Sequence, residues 1–154
     1  MDRFLIDKVS PQDELKMLLD YNGVNYSIEE DGVRFVFEDG AYKWETICRY
    51  SRTAALIYGL YPFETLQGDE IMKTLNRINS ELIRGSMILS GGRVMMRTSA
   101  DLYDAYGAYE AIARAIEYNA GAIIKFWQAI HFINTKPGFS IKQRTEIRKE
   151  DAPY

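Results

Sequence analysis

The chain has 154 residues, 47% hydrophobic and 27% charged, with 11 Tyr, 7 Phe and 2 Trp, which is enough for one packed domain and excludes wholesale disorder. Against 19 Lys and Arg stand 22 Asp and Glu, a net charge of -3, so the electrostatic footprint of a nucleic-acid binder is missing. With Cys48 as its one cysteine the chain forms no internal disulfide and no cysteine-rich zinc site; residues 1–9 lack the continuous apolar run of a secretory signal and no stretch of about 20 apolar residues occurs, so a cytoplasmic address without membrane attachment is expected.

Ser10-Pro11-Gln12-Asp13 reads as a helix start: a Ser cap, Pro at the first helical position, where its missing N–H costs nothing, and an acid in the first turn. Leu15, Leu18 and Leu19 form the apolar stripe of this first helix, and Asn22-Gly23 stops it. Strands follow. Residues 26–28 form a short one before Asp31-Gly32, and Val33, Phe35 and Phe37 then share a face. Asp39-Gly40 turns the chain into a strand in which Tyr42, Trp44, Thr46, Cys48 and Tyr50 alternate with Lys43, Glu45 and Arg49. A further, more buried strand spans 54–58, and Tyr61-Pro62 should end it because Pro lacks a ladder donor.

Over 69–83, Ile71, Met72, Leu75, Ile78, Leu82 and Ile83 recur at helical spacing, which predicts helix two. Asn79 falls within that apolar stripe, so its amide needs hydrogen-bond partners, expected from backbone groups of a loop or strand edge. Asn76 stands one turn before it. Residues 87–89 and 94–97 flank Ser90-Gly91-Gly92-Arg93, a second hairpin, and 101–106 reads as loop.

Helix three, over 108–133, is apolar round nearly its whole circumference from Ala120 onward, except for a stripe of Lys125, Gln128 and His131. A small sheet covers one side of such a helix. A partner surface formed by Ile123, Phe126, Trp127 and Ile130 is therefore expected, with Ala120-Gly121-Ala122 as a place for close backbone approach. Lys136-Pro137-Gly138 then breaks the helix. The division is one domain over 1–135 and a charged tail over 136–154.

No residue set rises to a catalytic, cofactor or metal signature. His131 is the single histidine and cannot build a zinc set, and Cys48 shares a strand face with Trp44, where a thiol behaves as a small hydrophobe with a raised pKa. Glu29-Glu30-Asp31 and Glu38-Asp39 lie beside Gly turns and lack the ligand spacing of a calcium loop. Gly91-Gly92 lacks the Lys-Ser or Lys-Thr of a phosphate loop and the third glycine of a dinucleotide site, leaving a turn as its role. Arg84, Arg93 and Arg97 read as solubilising charge. An alternative function, a small-molecule or enzymatic pocket, draws on Trp44, Tyr58, Tyr103, Tyr106 and Tyr109.

Helix two with Leu75-Asn76-Arg77-Ile78-Asn79, a strand, a Gly-bearing turn, a second strand and a long last helix ending in Ile124-Lys125-Phe126-Trp127 resembles the YbjN-like family, over about 10–134. That family is similar in fold to the type III secretion chaperones, and its members have been labelled sensory transduction regulators. The resemblance implies an α+β domain in the order α-β-β-β-β-α-β-β-α, with helices on an antiparallel sheet. It also implies a non-enzymatic, chaperone-like or regulatory module that binds another polypeptide and pairs with itself as a homodimer.

Overall fold

A computed structural model describes residues 11–30, 32–51, 53–65, 68–102 and 108–134. The Ser10 cap, Tyr103, Tyr106 and the tail over 136–154 lie outside them. Helix α1 (Pro11–Tyr21) precedes four strands, β1 (Tyr26–Glu29), β2 (Gly32–Asp39), β3 (Tyr42–Tyr50) and β4 (Ala54–Glu64). Helix α2 (Asp69–Glu81), strands β5 (Ser86–Ser90) and β6 (Arg93–Asp101), and helices α3 (Ala108–Lys125) and α4 (Trp127–Asn134) complete the order. The strands form one sheet, β1-β2-β3-β4-β6-β5, in which every neighbouring pair is antiparallel. This is the expected α+β architecture and element order.

Period-two alternation sets the faces of the sheet. Val33, Phe35, Trp44, Cys48, Ala55, Ile57, Val94 and Met96 are buried on the inner face, while the residues between them point the other way. The hairpins turn where glycine allows it. Gly91 and Gly92 hold φ of 59° and 79°, and two successive positive values give the turn whose twist suits a β-hairpin.

The core is two apolar clusters on that one face. Leu15 and Leu19 of α1 with Ile112 and Ile116 of α3 cover Val33, Phe35, Cys48 and Ile57. Ile71, Leu75 and Ile78 of α2 with Trp127, Ile130 and Ile133 of α4 cover Trp44, Tyr61, Val94 and Met96. Between the clusters the strands carry small or polar residues, Thr46 on β3, Gly59 on β4 and Thr98 on β6, and Asn119 of α3 lies above them.

Three elements differ from the sequence expectation, the first being β6, which runs on to Asp101 where the sequence predicts a strand over 94–97. Strand β4 does not end at Tyr61-Pro62 but continues to Glu64, with its register against β6 shifted between Leu60 and Glu64. Pro62 falls inside that bulge, where no ladder donor is required of it. The long last helix is also not continuous. It breaks at Phe126 into α3 and α4 although no Pro is near. The Ile123 carbonyl, four residues before Trp127, accepts the buried Tyr61 hydroxyl at 2.7 Å, and a side chain inserted into the helical ladder is an established cause of a bend. The break answers the covering problem posed by an all-round apolar helix: α3 lies on β4 and β6, and α4 turns toward α2.

Candidate functional site

Ile123, Phe126, Trp127 and Ile130 do not form an exposed surface. Their exposures are 0%, 6%, 4% and 0%, all within the single chain. Trp127 sits in an aromatic nest, with ring centroids 4.8 Å from Tyr42, 5.3 Å from Tyr61 and 5.6 Å from Phe63. The expectation failed because it allowed helix three one covering layer; the break supplies α2 as a second. Of the polar stripe, Lys125 and Gln128 are exposed, whereas the half-buried His131 ring packs edge-on to Phe63 at 4.8 Å. Gly121 is exposed, and among the described residues no backbone approaches it closely.

Asn79 spans both backbone groups of Met87: its Nδ2 donates to the Met87 carbonyl at 3.1 Å, and the Met87 N–H donates to its Oδ1 at 2.7 Å. The amide thus acts as one residue of a further strand on the outer side of β5. Asn76, one turn earlier, is exposed.

The side chains weighed for chemistry are dispersed. Burial pushes the Cys48 thiol up to about 12, and the thiol is inaccessible. Glu29 and Glu45 are held by Arg34 at 2.8 and 2.6 Å, and the bond to Arg34 lowers the Glu29 pKa. Arg93 donates to the Tyr61 carbonyl at 2.7 Å and so braces the β4 bulge. Trp44 faces the core while Tyr58 lies on the opposite sheet face, so the two do not line a common pocket. Among the described residues no group of three or more His, Cys, Asp or Glu is placed to hold a metal ion, and no helix is long and apolar enough to cross a membrane.

Two features escaped sequence reading. The outer sheet face carries Val36, Ile47, Leu56, Tyr58, Leu60, Met95 and Ile88, none of which belongs to either core cluster; Ile47 with Tyr58, and Leu60 with Met95 and Ile88, are cross-strand neighbours, while Val36 lies opposite Glu45 and Leu56 opposite Arg49 and Ser99. Arg34, Glu45 and Arg97 punctuate it. Its signal was present in the alternation of β4, where Leu56, Tyr58 and Leu60 fall between the buried positions, but a strand apolar on both faces gives no period from which to separate them.

The second feature is a groove of about 860 Å³ between α3 and β6. Its floor is 98–101 of β6, its wall the Ala111, Arg114, Ala115, Glu117 and Tyr118 side of α3, and its far rim Arg84 and Gly85. Tyr118 fixes that rim, its hydroxyl accepting the N–H groups of Ile83 at 2.9 Å and Arg84 at 3.3 Å.

No family model matches the chain, nor does any curated protein. Among solved structures it is similar to the crystal structure of YbjN from E. coli, described as a candidate transcription regulator. The TM-score is 0.52 and the identity 11%, over 76% of this chain and 91% of that one. The chain therefore has a YbjN-like fold.

Proposed function

We propose that the chain is a non-enzymatic protein-interaction module, chaperone-like or regulatory, that works in the cytoplasm as a homodimer through the outer face of its sheet. The observation that carries this reading is the layer arrangement. All the described helices whose residues enter the core clusters lie on the inner face, and the outer face keeps a contiguous apolar row with Tyr58 and Leu60 at its centre. Contiguous apolar surface of this kind marks interaction sites on soluble domains. Two such faces can stack as sheets do in sandwiches, about 10 Å apart. The likeness to a candidate regulator supports a binding role. A net charge of -3 favours polypeptide over nucleic acid as the partner.

Sedimentation velocity at micromolar concentration tests this, comparing the native chain with Leu60→Lys. Leu60 is the cross-strand partner of Glu45, so a lysine there gains a counter-charge and leaves the fold intact. A dimer that the substitution dissociates supports the reading. A native chain that is monomeric throughout, or a dimer indifferent to the substitution, overturns it.

A further inference from the structure

The floor of the α3–β6 groove is a strand edge. β5 pairs with β6 only over Arg93–Arg97, whereas β4 pairs as far as Asp101, so 98–101 have a ladder on one side alone. The direction of the free groups is fixed at both ends. Leu102 N–H donates to the Thr53 carbonyl on the β4 side, so by alternation Ala100 and Thr98 face β4 while Ser99 and Asp101 face away. At the other end Asn79 occupies the outer groups of Met87, which leaves Ser86 to face Arg97 and gives the same phase. Ser99 and Asp101 are exposed, and no described residue pairs with their backbone on this side.

We infer that this edge takes an extended segment of another polypeptide as an added strand, next to the end of β5. The inference rests on the interaction-module reading and names a partner class for it. Strand edges in native domains are usually blunted or covered, and an open one beside a groove is the geometry of strand addition, in which main-chain bonds hold the guest and a pocket selects a side chain. The pocket here defines that side chain. The guest residue opposite Ala100 points toward α3, where Ala111 and Ala115 leave space on the groove floor and the charged Arg114 and Glu117 stand at its side, so a small apolar residue fits directly over Ala100. Its neighbours opposite Ser99 and Asp101 point to the outer face, where the Asp101 carboxylate favours a basic residue. The recognised class is therefore an extended, alternating segment with an apolar centre and a basic flank.

The probe is a fluorescein-labelled heptapeptide, acetyl-Thr-Lys-Val-Thr-Val-Lys-Thr-amide, with a panel in which each Val is replaced by every other residue. A second copy is N-methylated on alternate backbone amides, which keeps the side chains and removes the ladder donors. Anisotropy with the full chain should show binding that weakens at least about tenfold on N-methylation, and as much with Ser99→Pro, which removes an edge donor, or Ala111→Trp, which fills the groove. Equal binding of the methylated and unmethylated peptides overturns strand addition, and so does the absence of binding by every member of the panel. If Ser99→Pro instead converts a dimer to monomer, a second copy holds the edge and the guest proposed here is wrong. Loss of peptide binding with the Leu60→Lys dimer behaviour unchanged separates failure of this inference from failure of the outer-face reading.

Discussion

Asn119 occupies its place because residue 59 is glycine: a Cβ on Gly59 would collide with Asn119 Oδ1 and press on the Ile123 side chain. The amide, 2% exposed, donates through Nδ2 toward the carbonyls of Ile57 at 3.1 Å and Met96 at 2.9 Å and the Thr98 hydroxyl at 3.2 Å. Thr98 in turn donates to the Ala115 carbonyl at 2.9 Å. One polar contact set therefore registers α3 on both β4 and β6, and with them the wall of the groove on its floor.

Gly59→Ala should accordingly destabilise the chain by about 1–3 kcal/mol, the range for overpacking a filled core. Asn119→Ala should also destabilise it, since two strand carbonyls lose a donor. The double variant should cost less than the sum, because removing the amide removes the collision. Urea unfolding of the four chains reads the coupling. Strict additivity would mean that the two residues do not meet.

Asn79→Leu should cost about 1–3 kcal/mol by leaving both Met87 backbone groups without their partner. Asn79→Asp separates the two bonds: an oxygen still accepts the Met87 N–H, while the donor to the Met87 carbonyl is lost. Amide exchange at Met87 should therefore rise strongly in the leucine variant and less in the aspartate variant. Equal protection in both would remove the amide from its strand-edge role.

The difference between Asn79 and Asn119 shows how far the sequence could be read. Asn79 interrupts an amphipathic stripe, so its partial burial and its need for backbone partners follow from spacing alone. Asn119 likewise interrupts the buried stripe of α3, between Ile116 and Ala122, but its partners are 62 and 23 positions away, on strands that helical spacing does not identify. The hairpins and element order were legible for the first reason, since turn glycines and alternation are local. The break at Phe126 was not, because Tyr61, distant in sequence, causes it. The groove was illegible for a related reason: it exists through the difference in length between β5 and β6.

Cys48 gives the chain an alkaline limit. In the unfolded chain the thiol ionises near 9.0; folded, burial holds it neutral to about 12. Between those values the unfolded state binds fewer protons than the folded one, so the contribution present below pH 9.0 is lost as pH rises, by up to about 1.4 kcal/mol per unit. Cys48→Ala should flatten that part of the stability profile relative to the native chain. A thiol reagent at pH 8 should leave the folded protein unmodified and label it in denaturant. Rapid labelling of the folded chain would contradict the burial.

Trp127 and Leu60 should separate folding from association. Trp127→Ala empties an aromatic nest closed by Tyr42, Trp44, Tyr61 and Phe63, and the cost should be about 3–5 kcal/mol. Ile83→Ala, at a site 88% exposed, should cost well under about 1 kcal/mol. Because Trp127 faces inward, the folded fraction of Trp127→Ala should keep the native oligomeric state in sedimentation. Leu60→Lys should do the reverse, holding the unfolding midpoint while weakening the dimer. A Trp127→Ala chain that is fully folded but monomeric would put the tryptophan at the interface and remove the outer face from that role.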